Sequence, residues 1–450
     1  MIPQRGEKYS WRFICSLLVF PLFFFVGLST WTLSASSGMT KLTSPGYDSQ
    51  PDSKPLTRNS MVQRPNIRAI TAFVRIQRND YQAQLQGAVQ MLRGAKAAFQ
   101  AQGYEVQTIR ITTQPFPEYT RDLGKEEALA FLRRLDDLAV KEGFALCIGP
   151  ALMTDNDDAA SVELLEPPLS SAKAEFGSIV VAGSDGIHWK AVSQSAKVVG
   201  YLAVHSPRGQ GNFAFAATAM LVPYAPFYPG SYHTGPGHQF SIAVEAANVV
   251  AEVFRNTGYQ ASLAAQQLKS VIGSHGAAIE KIARAVESKQ AWAYMGVDLS
   301  PAPLGDVSIG AAIEDFLQGR FGSPGTMTAA AIITEAIRAA PVTKAGYSGL
   351  MLPVLEDSRL AERWSEGAFG MDALLAYSAV CGTGLDTIPL PGDVSQEQLA
   401  RIIGDVATLA VKWNKPLSAR LQPVAGKKAG QKTEFDDPRL NNAILQPLPD

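Results

Sequence analysis

The sequence is poor in cysteine and histidine and has no excess of charge of either sign. Its 450 residues include three cysteines, five histidines, 40 basic and 41 acidic side chains, for a net charge of −1. That balance excludes the electrostatic footprint of a nucleic-acid-binding protein. The cysteines, Cys15, Cys147 and Cys381, are scattered, which excludes a disulfide framework and any CxxC metal site. Cys147 and Cys381 are expected to be free thiols. GxxxxGK[ST], GxSxG and HExxH are absent, and no GxGxxG follows the first predicted strand. The commonest nucleotide, dinucleotide, serine-hydrolase and zinc-protease chemistries go with them. No N-x-[ST] sequon occurs either. At 46% hydrophobic the chain is ordinary for a globular protein. A body of this size buries roughly three-quarters of its unfolded surface, so no metal or disulfide staple is needed.

One long apolar run is present. Arg5, Lys8 and Arg12 precede Phe13–Leu28, which continues weakly to Leu33 and the small residues Ser34 and Ala35. A basic flank, an apolar stretch and small residues predict an export signal or a membrane anchor over residues 1–35. Either would place the body outside the cytoplasm, with this segment as its link to the membrane. A start at Met39 or Met61 would instead give a cytoplasmic product. Residues 36–65, rich in Ser, Pro, Asp, Lys and Thr, read as a disordered spacer.

The ordered body starts abruptly. Ile67–Ile76 predicts a strand, Tyr81–Phe99 a helix ended by Gly103, and Tyr104–Thr113 a second strand. Gly124–Glu142 predicts a second helix and Phe144–Ile148 a third strand. This β-α-β-α-β order implies an α/β domain whose strands are covered on both faces. Further strands are expected at Ser178–Ala182, Ala291–Leu299 and Pro416–Pro423. Helices are expected at Trp189–Tyr201, Gln239–Asn256, Ala261–Ser288, Ser308–Leu317, Thr326–Ala339, Gly370–Val380 and Ser395–Thr408. Asn212–Val222 fits either a strand or a helix. With no repeat and no internal linker, residues 66–434 read as one large α/β domain, followed by a polar tail over 435–450.

Four polar loops carry the chemistry. Pro223–His238 holds His233 and His238 and runs toward Glu245. Asp298–Pro303 follows a strand. Ala345–Asp357 contains Tyr347, Ser348, Glu356 and Asp357. Cys381–Asp393 packs Gly382, Gly384, Asp386 and Asp393 around a thiol. Brought together, imidazole and carboxylate groups suit either a divalent metal, held by His233 and His238, or acid–base work by Asp386, Glu356, Asp298 and His233. Cys381 is either a nucleophile or a small buried residue at a helix end. Gly382, Gly384, Asp393, Tyr347 and Ser348 would present the backbone and side chains that bind an anionic ligand. Asp298 and Asp393 also fit turn or cap roles, and Glu356-Asp357 also fits a solvated pair. Arg208-Gly209-Gln210-Gly211 is either an anion site or a mobile turn. The expected partner is a small molecule; the oligomeric state stays open.

Pro226–Pro229 running to His233, Asp298–Pro303, Tyr347–Pro353 with Glu356-Asp357, and Cys381–Pro389 with Pro391-Gly392-Asp393 together resemble an uncharacterised family labelled domain of unknown function 711 (DUF711, UPF0210). Val424–Gly430 fits it too, and the likeness spans Asn66 to about Glu434. The resemblance implies a fold similar to the α/β barrel of glycyl-radical enzymes such as pyruvate formate-lyase; if the four loops converge, they form a pocket at the barrel mouth. It assigns no activity. Ala345–Gly349 is similar to the end of a glycyl-radical loop, but Thr343 and Lys344 replace the arginine and β-branched residue that would precede it. That difference speaks against a radical at Gly346.

Overall fold

Polar and apolar residues alternate along several strands, and that alternation sets the architecture. In the computed structural model, which describes residues 63–171 and 173–448, ten strands form one mixed sheet. They are β1 (Asn66–Val74), β2 (Val106–Thr113), β3 (Ala145–Pro150), β4 (Glu175–Gly183), β5 (Gly186–Ile187), β6 (Phe215–Ala219), β7 (Gln239–Glu245), β8 (Ala293–Asp298), β9 (Gly384–Pro391) and β10 (Leu417–Val424). The spatial order is β8-β7-β1-β2-β3-β4-β6-β10-β9, with β5 paired to β4. β1, β2, β3, β4 and β6 run parallel. β7 and β8 run parallel to each other and antiparallel to β1, and β9 and β10 do the same against β6.

The two outer strands, β8 and β9, are joined through one segment. Lys344 bridges Val297 of β8 and Pro353 bridges Asp386 of β9, both in the parallel sense. Val297 N–H donates to Thr343 O at 2.9 Å, and Val354 N–H to Asp386 O at 3.0 Å. Residues 343–354 thus take the place of a missing strand and close the sheet on itself. Closure satisfies edge groups that would otherwise stand open.

On β10, Leu417, Ala419 and Leu421 join the main core with the covering helices, while Ser418, Arg420 and Gln422 fall on the opposite face. On β2, Ile109 and Ile111 pack outward while Thr108, Arg110 and Thr112 face the other way. Period-two patterning therefore puts apolar residues beneath the helices and polar residues inside the closed sheet. A second, smaller apolar cluster fills part of the interior, built from Phe227, Tyr347, Met351, Leu221 and three alanines. Phe227 and Tyr347 meet edge to face at 4.8 Å.

The loop between β6 and β7 supplies Phe227 and is pinned by buried polar groups. Tyr228 OH donates to Ile111 O at 2.5 Å, and Ser231 Oγ donates to Ala225 O at 2.6 Å. Cys147 Sγ donates to Pro229 O and Ser231 O, both at 3.1 Å. Burial pushes the Cys147 thiol up to about 12. Both described cysteines are free and buried, as expected.

Two expectations from the sequence are corrected by the fold. Gln239–Asn256 is not one helix: Gln239–Glu245 is β7 and the helix is Ala247–Thr257. The apolar content of 239–245 suits either state, and pairing with β1 and β8 decides it. Cys381–Asp393 is not a loop throughout, since Gly384–Pro391 is a fully buried strand. Asn212–Val222 resolves into the end of a 3-10 turn and β6. The chain after β10 packs back on the body, burying Phe435, Leu440, Ala443 and Leu445.

One buried carboxyl stands apart. Glu175 opens β4 with neither oxygen partnered, and burial raises its pKa well above the usual 4.5, with Asp136 adding to the rise. A carboxyl raised on folding contributes stability that is complete below its unfolded pKa and lost as pH climbs through the folded value. Glu175→Gln removes that titration. The stability of the variant relative to the parent should therefore improve steadily from pH 4.5 to about pH 8 in urea unfolding. A difference that does not change with pH would contradict this.

The apolar run Phe13–Leu33 and the spacer up to residue 62 lie outside the described residues. Among the described residues no helix is long and apolar enough to cross a membrane. The expectation of a membrane partner, and of a body held by it outside the cytoplasm, finds no support among the described residues and is not retained.

Candidate functional site

Two irregularities in the strands aim charged side chains at one another. Between β1 and β7 the register shifts between Ile67 and Ala69, so that Arg68 is an extra residue. Between β10 and β9 the register shifts between Ala419 and Leu421, where Arg420 stands opposite both Asp386 and Thr387. Thr387 takes φ 49°, a left-handed value that fits this bulge. Bulges re-aim side chains, and here they turn Arg68, Arg420 and Asp386 inward.

The result is a buried charge chain. The Arg420 guanidinium pairs with Asp386 through Nε and with Glu356 through Nη2. Glu356 also accepts from Arg68 Nη2 at 2.8 Å, and Arg68 lies 3.6 Å from Glu245. Burial works against the Glu356 charge, but Arg420 and Arg68 outweigh it and leave its pKa lowered. Asp386 has one shared arginine; burial raises its pKa, Glu356 adds to the rise, and Arg420 only partly offsets them. Asp386 is therefore the more readily protonated of the pair. Burial opposes the Arg420 charge too, yet its two carboxylates hold its pKa up.

These groups line a cavity of about 420 Å³ inside the closed sheet, where β1–β4 begin and β7 and β8 end. Its apolar walls include Phe176, Phe213, Phe227, Val244 and Met351. Arg110 of β2 lies on the wall with its guanidinium over the Tyr228 ring at 4.8 Å. Arg110 Nη1 donates to Pro226 O at 3.3 Å and Nε to Thr108 Oγ1 at 3.2 Å. No carboxylate among the described residues pairs with it. Burial, and then the neighbouring Arg68 charge, lower its pKa to about 10. Arg439, from the chain after β10, sits at the mouth over Phe213 and is paired by Asp437 at 2.6 Å.

Asp298, at the end of β8, also lines the cavity. Its Oδ1 accepts from Ser300 N at 3.0 Å, Ser300 Oγ at 2.5 Å and Ser348 N at 3.1 Å, and its Oδ2 from Tyr347 N at 3.0 Å. Burial raises its pKa despite those donors. It fixes the turn Gly346–Ser348, in which Gly346 and Ser348 have φ 64° and 43°. A Cβ on Gly346 would strike the Asp298 carboxylate, so glycine is required there by packing.

The fold thus brings Asp386, Glu356 and Asp298 together, with Tyr347 and Ser348 held behind Asp298. Other expected site residues lie elsewhere. His233 is fully buried and donates from Nε2 to Val74 O at 3.0 Å, at the opposite end of β1 from Arg68, and burial lowers its pKa. His238 is exposed against the Trp292 ring. Neither imidazole lines the cavity. Among the described residues no group of three or more His, Cys, Asp or Glu side chains could hold a metal ion.

Cys381 is buried at the end of the helix Met371–Ser378, and its carbonyl accepts from Lys415. Asp393 is exposed. Gly382 crosses Gly349 so closely that a Cβ would lie 2.8 Å from its backbone, and a Cβ on Gly384 would lie 2.5 Å from Ser418 O. Both glycines serve packing. Asp357 is no solvated residue: it caps the helix Ser358–Ser365 and accepts from Ser308 Oγ and Ile309 N, joining two helix starts. Arg208 and Gln210 hold Asp436 of the folded-back tail.

The residues that sequence reasoning missed are the arginines. Arg110 and Arg420 lie in strands where the alternation of polar and apolar residues marks an inward polar face, and that signal was available. The Arg68 bulge depends on the register of β7, which no local pattern reports.

Known proteins resemble this chain over most of its length. A UPF0210 protein of Pyrobaculum aerophilum is 35% identical over 347 residues, covering 73% of this chain and 75% of its own. One from Desulforudis audaxviator is 29% identical over 355 residues, covering 74% and 77%. Among solved structures, the anaerobic ribonucleotide reductase from Thermotoga maritima in complex with dATP and CTP is similar over 79% of this chain and 75% of its own. Its TM-score is 0.36 at 7% identity. The model of the family described as Uncharacterised ACR (DUF711) matches residues 60–437, and the chain belongs to that family.

Proposed function

We propose that the interior chamber takes up a small anionic metabolite and that the protein acts on it by proton transfer. The observation that carries this reading is Arg110, a cation on a chamber wall that no carboxylate among the described residues pairs with. A half-buried charge without a partner is costly, so a fold that keeps one there is suited to an incoming anion. Asp386, buried and raised in pKa, is the group to give or take the proton. Glu356 keeps its charge and holds Arg420 and Arg68 in register, while Asp298 positions the turn behind the wall. A second reading, a ligand-binding protein without turnover, is favoured by one feature: Arg420 already engages both Glu356 and Asp386.

A panel of small organic anions, scored by thermal shift and then by mass spectrometry of the recovered compound, tests both. Proton-transfer chemistry predicts an anion that stabilises the protein and is altered by it, and that Asp386→Asn binds but leaves unaltered. Recovery of the compound unchanged from the parent protein supports the binding reading instead. No stabilisation by any anion contradicts both.

A further inference from the structure

We infer that the ligand of this chamber is a monocarboxylate carrying an apolar, ring-sized body, with its carboxylate seated on Arg110. The inference rests on the reading of the chamber as an anion site and narrows its chemistry.

Three of the four arginines that line the cavity are met by carboxylates. Arg420 is met by Asp386 and Glu356, Arg68 by Glu356 and Glu245, and Arg439 by Asp437. Arg110 alone of the four has no carboxylate pairing with it among the described residues, so it is the one cation that a ligand's negative charge can meet. A phosphate monoester brings nearly two. Its second charge would lie unpaired in a chamber that already holds Asp298 and Asp386, where desolvation is expensive.

Hydrogen-bond counting agrees. Of the five N–H groups of a guanidinium, Arg110 spends one on Pro226 O and one on Thr108 Oγ1. Three remain, enough for the two parallel bonds a carboxylate accepts. Stacking on Tyr228 at 4.8 Å fixes the plane in which those bonds are offered.

The rest of the wall selects the body. Phe176, Phe213, Phe227, Val244 and Met351 supply apolar surface, and the cavity of about 420 Å³ lies within the range that binds a small organic molecule. Bare acetate would leave that surface against water, whereas a ring or a branched chain covers it.

Calorimetric titration of the full chain tests this with four probes: phenylacetate, 4-methylpentanoate, phenyl phosphate and 2-phenylethanol. At least one of the two carboxylates should bind, phenyl phosphate about tenfold or more weakly by comparison, and the uncharged alcohol not measurably. Arg110→Met should weaken the carboxylate about 30-fold or more, and Arg110→Lys should restore part of that loss. Phenyl phosphate binding as tightly as the carboxylates, or Arg110→Met binding them unchanged, overturns the monocarboxylate inference while the anion chamber stands. Failure of every anion to bind removes the chamber reading itself. Should Arg110→Met not fold, the carboxylate–phosphate comparison on the parent protein decides alone.

Discussion

Arg420→Met should cost about 3–5 kcal/mol of folding stability at about pH 8, a large share of what a folded protein of ordinary stability has. Arg420 is only 4% exposed, and so is Glu356, while Asp386 is 2% exposed. Methionine fills much of the arginine's volume against Phe213 and Phe227, so the loss reports the missing charge more than a cavity. Two carboxylates would then lie buried, Glu356 with Arg68, which it shares with Glu245, and Asp386 with no paired cation. Unfolding in urea at two pH values separates this account from simple loss of packing. In the variant Asp386 keeps the burial that raises its pKa without the arginine that opposes it, and Glu356 loses the first of the two arginines that lower its own. Protonated Asp386 therefore favours folding below the usual carboxyl range, and that contribution disappears as pH rises through its raised value. The deficit should be smaller at about pH 5 than at about pH 8. Adding Glu356→Gln and Asp386→Asn should recover much of it. A deficit below about 1 kcal/mol, or one equal at both pH values, would mean that the three side chains are not the coupled buried unit described above.

Asp298→Asn is expected to be nearly as damaging, at about 2–3 kcal/mol, although it removes no volume. The four donors converging on Asp298 need an acceptor at both oxygens. Either orientation of an asparagine amide points an NH₂ at one or more of them. The consequence reaches beyond stability, because Tyr347 and Ser348 belong to the segment that joins β8 to β9. Amide exchange at Tyr347 and Ser348 should accelerate markedly in the variant while the core of β2 and β3 keeps its protection. Unchanged exchange at those two amides would show that Asp298 does not hold the turn.

Much of this site is legible in the amino-acid sequence alone. Asp386, Glu356 and Asp298 stand in polar, glycine- and proline-rich stretches next to apolar runs, and all three reach the chamber. The first three strands and the helices between them follow from periodicity, because period two and period 3.6 are distinct over long segments. What the sequence does not disclose depends on neighbours distant along the chain. Residues 239–245 become a strand because β1 and β8 offer them partners. His233 drops out because its loop threads back into the sheet, leaving its ring on Val74 O and not in the chamber. The bulges at Arg68 and at Asp386-Thr387 arise from mismatched registers between strands, which leave no mark in either strand alone. The glycines at 382 and 384 are legible as special positions. Their reason, the close passage of Gly349 and Ser418, is not.

The most direct test of the chamber is a crystal structure of the full chain soaked with phenylacetate. The account predicts density for the carboxylate in hydrogen-bond contact with the Arg110 guanidinium, its ring among Phe176, Phe213 and Phe227. A clear interior with the carboxylate bound on the outer surface, beside His238 or Asp393, would contradict it.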